Sequence, residues 1–297
     1  MKTSPECLPC LLSRVIETAS RVSADPWLHK KVMMDVVAAV AGGDIDFDRT
    51  PAEVTSDGIL RACAILNADP YADERRRMNE SMLAVLPALT EALGRQPDPL
   101  VAAGRLAVIC NDPGTFSRPL DPAALIADAA SRNFAIDDFG RLKQALAPAR
   151  HVLYILDNAG EIVADRLLIE AIGPQRVTAV VRRRALMRDV LEADARAAGI
   201  TSRLVTTGCD LAGVPVSQLS AEFRREIDRA DVIIAKGEAC YQTLEEGPWR
   251  SWSLFVARCV CTARHLGQKP GAAFCLGKEA VSTKAFRKNT TAVARRA

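Results

Sequence analysis

The sequence predicts an α/β protein: a helical N-terminal domain followed by a Rossmann-like, doubly wound, mainly parallel sheet domain. Three observations carry this. Apolar residues recur at three- and four-residue spacing through the first third of the chain. From His151 onward, short unbroken apolar runs alternate with helical stretches. Gly and Pro clusters fall between these segments.

Taken in order, Pro9-Cys10-Leu11-Leu12 leads into Val15-Ile16 as a first helix. Leu28 to Ala41, Ser56 to Leu66 and Met78 to Leu93 repeat its spacing, with stops at Gly42-Gly43 and Pro97-Asp98-Pro99. Leu100 to Cys110 reads as a further helix, and Pro122 to Ala147 as two short ones. Buried-strand candidates are His151–Leu156, Val177–Val181, Arg203–Thr206, Val232–Ala235 and Ala272–Leu276. Between them Gly160–Ala171, Met187–Ala198, Ser220–Arg229 and Trp252–Leu266 carry helical patterns. Right-handed crossovers then give a parallel sheet covered on both faces. The expected division is residues 1–99 as the helical domain, 100–282 as the α/β domain with a helical connection over 100–148, and a basic tail at 283–297.

The 297 residues are 49% hydrophobic and 25% charged, which excludes a mainly disordered chain. Nine scattered cysteines are too few for a disulfide scaffold and fit reduced, intracellular thiols. The net charge of +3 lives in the tail, where Lys284, Arg287, Lys288, Arg295 and Arg296 stand without an acid. The rest of the chain is slightly acidic, so no nucleic-acid partner is expected. The longest apolar run, Val36 to Ala41, is too short for a membrane, and Glu6 and Pro9 interrupt any leader. A cytoplasmic protein is the expectation.

Ligands of an open parallel sheet bind beyond the carboxyl ends of its strands. There the sequence sets Asp157-Asn158-Ala159-Gly160-Glu161, Arg182 to Asp189, and Lys236-Gly237-Glu238. Two carboxylates and an amide are oxygen ligands for a hard divalent cation. A lysine beside them, and the helix N-terminus near Gly160, suit a phosphate. The plainer alternatives are an N-cap at Asp157-Asn158 and a solvated turn at Lys236-Gly237. No Walker loop, no Gly-x-Gly-x-x-Gly after the first strand and no His-Glu-x-x-His occurs.

Asp157-Asn158-Ala159-Gly160-Glu161-Ile162-Val163-Ala164-Asp165 resembles the central motif of the damage-control phosphatases, the domain of unknown function 89. Glu6-Cys7-Leu8-Pro9-Cys10 is similar to the N-terminus of that family's prokaryotic branch, as is Asp69-Pro70-Tyr71 followed by Asn79. Ala230 to Gly237 resembles its lysine-glycine motif. Arg258-Cys259 with Ala263 to Gly267 resembles its late lysine-cysteine segment. The landmarks run in the family's order over nearly the whole chain.

The resemblance implies a metal-dependent phosphatase of small phosphometabolites such as sugar phosphates. It implies Asp157, Asn158 and Asp189 as ligands of Mn²⁺, Mg²⁺, Co²⁺ or Ni²⁺, with catalysis at Asp157 and Lys236. Lys236 would hold the substrate phosphate, with Asn111, Gly237 and Glu161 beside it. The chain departs from the family pattern at Cys110, Gly114, Arg188, Cys240 and Arg258, which implies an altered substrate ahead of lost activity. A carboxyl methyltransferase and a non-catalytic metal- or thiol-binding partner protein are the rival functions. The spacing of Cys7 and Cys10 suits thiolate metal binding or redox exchange, and Cys259 and Cys261 would complete a second metal or redox site if the N-terminus folds back. Simple packing of all four is the alternative.

Overall fold

A computed structural model describes residues 1–279; the basic tail at 283–297 lies outside the described residues. Helix α1 (Cys7–Ser20) buries Leu11, Val15 and Ala19 on one stripe. It packs with α2 (Pro26–Ala41) and α3 (Pro51–Leu66) around Val32, Val36, Val54 and Ile59. These helices start where the sequence writes Asp25-Pro26 and Thr50-Pro51. Proline has no N–H to leave unpaired, and the residue before it accepts from the first turn. In α3, Glu53 reaches back to the Thr50 N–H, which completes a reciprocal cap and starts the helix at Pro51 rather than the expected Ser56.

Helices α4 (Ala72–Gly94), α5 (Pro99–Ile109) and α6 (Pro122–Ser131) follow. The buried side chains of α4 and α5, Met82, Leu89 and Leu106 among them, fall in the core under the sheet and not with α1–α3. Packing therefore joins α4 to the sheet, although it precedes the boundary expected at residue 99.

Then come β1 (Phe134–Asp137), α7 (Phe139–Leu146), β2 (Val152–Ile155), α8 (Glu161–Ile172), β3 (Val177–Val181), α9 (Glu192–Ala197) and β4 (Arg203–Thr206). The described chain ends with α10 (Ala221–Arg229), β5 (Val232–Lys236), α11 (Glu238–Leu244), β6 (Ser251–Val256), α12 (Val260–His265) and β7 (Ala273–Lys278). The seven strands form one sheet in the order β1-β7-β6-β5-β2-β3-β4. Every neighbouring pair is parallel except β6 and β7. Val152 and Tyr154 of β2 face the layer of α5 and α8, while Leu153 and Ile155 face Phe223 and Ile227 of α10. Both faces are covered, which explains the unbroken apolar runs. This is the α/β class the sequence predicts. Among the described residues no helix is long and apolar enough to cross a membrane.

Three expectations are corrected. Trp252 begins no helix. Ser251–Val256 is a strand, buried at every position between β5 and β7, and only Val260–His265 is helical. A wholly buried apolar run has no periodicity to separate strand from helix. Phe134–Asp137 forms an edge strand between the two expected short helices. Of Met187–Ala198 only Glu192–Ala197 is helical, because the preceding residues pair with other loops.

Candidate active site

Strand β2 lies between β3 and β5, and the chain leaves it in opposite directions across the sheet. This is the point where a crevice opens beyond the strand ends. Asp157 emerges there just after β2. The loop after β3 folds back onto the same spot: Val190 N–H donates to Asp157 O at 2.9 Å, and Ala159 N–H to Arg188 O at 2.8 Å. Asn158 and Asp189 thereby form an isolated antiparallel bridge. Backbone pairing, rather than any nearness in sequence, brings Asp189 to the adjacent pair Asp157 and Asn158.

All three line a cavity of about 290 Å³. Arg188 and Arg258 face it from the loops after β3 and β6, and Arg14 faces it from α1. Glu238, at the start of α11, accepts from the Arg258 and Cys259 backbone N–H groups and so fixes the loop after β6. The first turn of α1 contributes Cys7 and Cys10, opposite Cys259 and Cys261. The N-terminus does fold back, as the two cysteine pairs required.

The other expected site residues form a buried layer behind Asp157. Asn111 Nδ2 donates to Asp157 Oδ2 and to Glu161 Oε2, each at 2.9 Å, and its Oδ1 accepts from Val256 N–H at 3.2 Å. Asn158 Nδ2 donates to the same two carboxylates, at 2.6 and 3.4 Å. Lys236 Nζ donates to Glu161 Oε1 at 2.9 Å and Asp165 Oδ1 at 2.6 Å. Tyr154 OH also donates to Asp165 Oδ1, at 2.7 Å. Lys236 is 0% exposed, so its ammonium is spent on two carboxylates and does not face the cavity as expected for a phosphate holder. Among the described residues, the cations that do face the cavity are arginines. Gly237 follows with φ +81° and lies directly against the Asp157 carboxylate.

Burial dominates the electrostatics. It raises Asp157 above the ordinary carboxylate range although Arg182 and Lys236 pull the other way. Burial, with the charges of Asp157 and Asp165, pushes Glu161 up to about 8. Burial and Asp157 push Asp189 up to about 7. Burial alone would lower Lys236, but Asp165 and Glu161 hold it above its usual value, so it stays charged. Arg182 is the cation the sequence reading did not single out. It is buried, with Nε donating to Asp189 Oδ2 at 2.9 Å and Nη1 to Gly213 O at 2.6 Å. Its only signal was its position as the first residue after β3. Cys110 and Cys240 are buried beside the site without lining the cavity, and burial pushes the Cys240 thiol up to about 12.

Among the described residues no group of three or more His, Cys, Asp or Glu side chains is arranged to hold a metal ion. Among the oxygen donors that line the cavity, the carboxylates of Asp157 and Asp189 and the Asn158 amide are gathered by the paired loops after β2 and β3. With its nitrogen turned to Asp157 and Glu161, that amide leaves its oxygen for another partner. Hard oxygen donors of this type could hold Mg²⁺ or Mn²⁺. Four buried carboxylates face two buried cations, Lys236 and Arg182, and a divalent ion would offset the surplus.

The model of the damage-control phosphatase ARMT1-like domain matches residues 3–274. The chain is 31% identical over 285 residues to a damage-control phosphatase of Archaeoglobus fulgidus, covering 91% of this chain and 97% of that one. It is 28% identical to a damage-control phosphatase of Pyrococcus horikoshii, over 93% and 98% of the two chains. The crystal structure of a DUF89 family protein from Pyrococcus horikoshii superposes with a TM-score of 0.83 at 27% identity, covering 94% of this chain and all of that one. By the extent of these matches, the chain belongs to the damage-control phosphatase ARMT1-like domain family.

Proposed function

We propose that the chain is a cytoplasmic, metal-dependent phosphatase of small phosphorylated metabolites, of sugar-phosphate or damaged-metabolite type. Asp157, Asn158 and Asp189 would be the ligands of a divalent cation. One observation carries the reading: the Asn158–Asp189 bridge gathers these three donors on a cavity whose rim bears Arg14, Arg188 and Arg258. The names of the two relatives support it.

When bound, the cation would draw charge from the phosphoryl oxygens and acidify a water molecule. The chain's own residues do the rest. Asn111 and Asn158 both claim Asp157 Oδ2, so Oδ1 is the oxygen neither amide takes. Arg182 fixes Asp189 in the same way from the other side. The arginines at the rim bind the phosphate oxygens in the ground state as in the transition state, and so act on substrate binding. Lys236 acts through Glu161 and is a positioning residue: it holds the carboxylate that orients Asn111 and Asn158.

The test is phosphate release from a panel of sugar and nucleotide monophosphates by the purified protein. Mn²⁺, Mg²⁺, Co²⁺ and Ni²⁺ are added separately, with a chelator control and the Asp157→Ala variant. Release that needs metal and disappears in the variant is the expected result. Release that survives both the chelator and Asp157→Ala would overturn the proposal.

A further inference from the structure

The phosphatase reading leaves the cysteines of the cavity wall unused. Cys7 Sγ and Cys261 Sγ lie 3.5 Å apart although the residues are separated by 254 positions. We propose that Cys7 and Cys261 form an oxidisable dithiol in the wall of the cavity that holds Asp157 and Asp189, a modification site whose oxidant is a peroxide.

A disulfide is about 2.05 Å long, so the two sulfurs need to close by roughly 1.5 Å. The local frame holds them in register for this. Ser4 N–H donates to Cys7 Sγ at 3.4 Å, and Ser4 Oγ lies 2.7 Å from Cys261 Sγ. Arg264 donates to Glu6 at 2.6 Å, a second tie between the same two segments. Cys7 is the first residue of the 14-residue α1, so its sulfur sits at a fixed helix end against the segment that carries Cys261. Both cysteines are buried from the outer surface yet line the cavity, so a small oxidant reaches them from inside. Cys10 and Cys259 share the cavity, but among the described residues the close sulfur–sulfur contact is between Cys7 and Cys261.

The chemistry balances with hydrogen peroxide. The Cys7 thiolate attacks one peroxide oxygen. An S–O bond forms, the O–O bond breaks, and hydroxide leaves and takes a proton to become water. Cys261 then loses its proton and its sulfur attacks the Cys7 sulfur. An S–S bond forms, the S–O bond breaks, and a second water leaves. The dithiol gives up two electrons and the peroxide takes them. The bond ties α1 to α12 across the cavity wall.

The experiment is a peptide map of the whole protein after brief peroxide treatment, denaturation and alkylation. The expected product joins the Cys7 peptide to the Cys261 peptide and falls apart on reduction. It persists in Cys10→Ser and Cys259→Ser and is absent from Cys7→Ser. Full alkylation of Cys7 and Cys261 in the treated wild-type protein would overturn the proposal. So would linkage of Cys7 to Cys10, or of Cys259 to Cys261. Phosphate release plays no part in this readout, so the outcome is independent of the proposed activity.

Discussion

The carboxylate of Asp157 rests on the backbone of Gly237. A β-carbon at Gly237 would stand 1.9 Å from Asp157 Oδ2, and φ at that position is +81°. Two demands, space and a left-handed backbone, coincide at one residue. Gly237→Ala is therefore expected to push the Asp157 carboxylate from its place between Asn111 and Asn158. A displacement on the ångström scale costs about 100-fold in rate. Phosphate release and thermal unfolding measured side by side check this, and unchanged kcat would refute it.

Lys236 is expected to govern stability more than substrate affinity. Lys236→Met leaves Glu161 and Asp165 buried without their shared cation. Breaking a buried pair from one side costs about 3–5 kcal/mol. Adding Asp165→Asn to Lys236→Met removes one stranded charge and is expected to restore part of that loss. Denaturant titration of the three proteins measures it. If Lys236→Met unfolds at the wild-type midpoint, the buried pair has been misread.

The rim arginines should separate binding from chemistry. Arg188→Ala or Arg258→Ala removes a cation that faces the cavity and leaves Asp157, Asn158 and Asp189 untouched. A hydrogen bond to a charged group contributes about 1.5–3 kcal/mol, or about 10- to 100-fold in affinity. KM for a phosphomonoester should rise by that order with a smaller change in kcat. A fall in kcat at constant KM would contradict this assignment.

Asp231 offers a test by pH away from the site. Backbone N–H groups of His151 and Arg150 hold its carboxyl below the usual range. A lowered carboxylate stabilises the fold above its unfolded pKa, and the contribution disappears as pH falls through the native value. Asp231→Asn should thus lose about 0.5 kcal/mol at neutral pH, a small figure because the group is exposed to solvent. Variant and wild type should converge in acid. A gap that widens on acidification would reverse the expected sign.

Much of the sheet was legible because its central strands are buried on both faces, as Val152 to Ile155 and Val232 to Ala235 show. Their tips then pointed to Asp157, Lys236 and Asp189 without any knowledge of packing. What stayed hidden depends on contacts distant in sequence. Ser251–Val256 is a strand only because β5 and β7 accept it. Asn158 meets Asp189 only because one loop pairs with another. Lys236 looked like an open cation because nothing in the sequence says that Glu161 and Asp165, about one helical turn apart on α8, both turn toward it.

The wall of the cavity joins residues from the two extremes of the described chain. During synthesis Cys7 emerges early and must wait 254 residues for its neighbour. The β1–β7 edge, Phe134 beside Ala273, closes just as late. Contacts of such long sequence separation form last and slowly. A growing chain can thus fold α1–α3 and β2–β4 while its cavity is still open on one side. Until Arg258, Cys259 and Cys261 have been added the cavity lacks one wall, so a chain cut before them carries the Asp157 motif with an unfinished site.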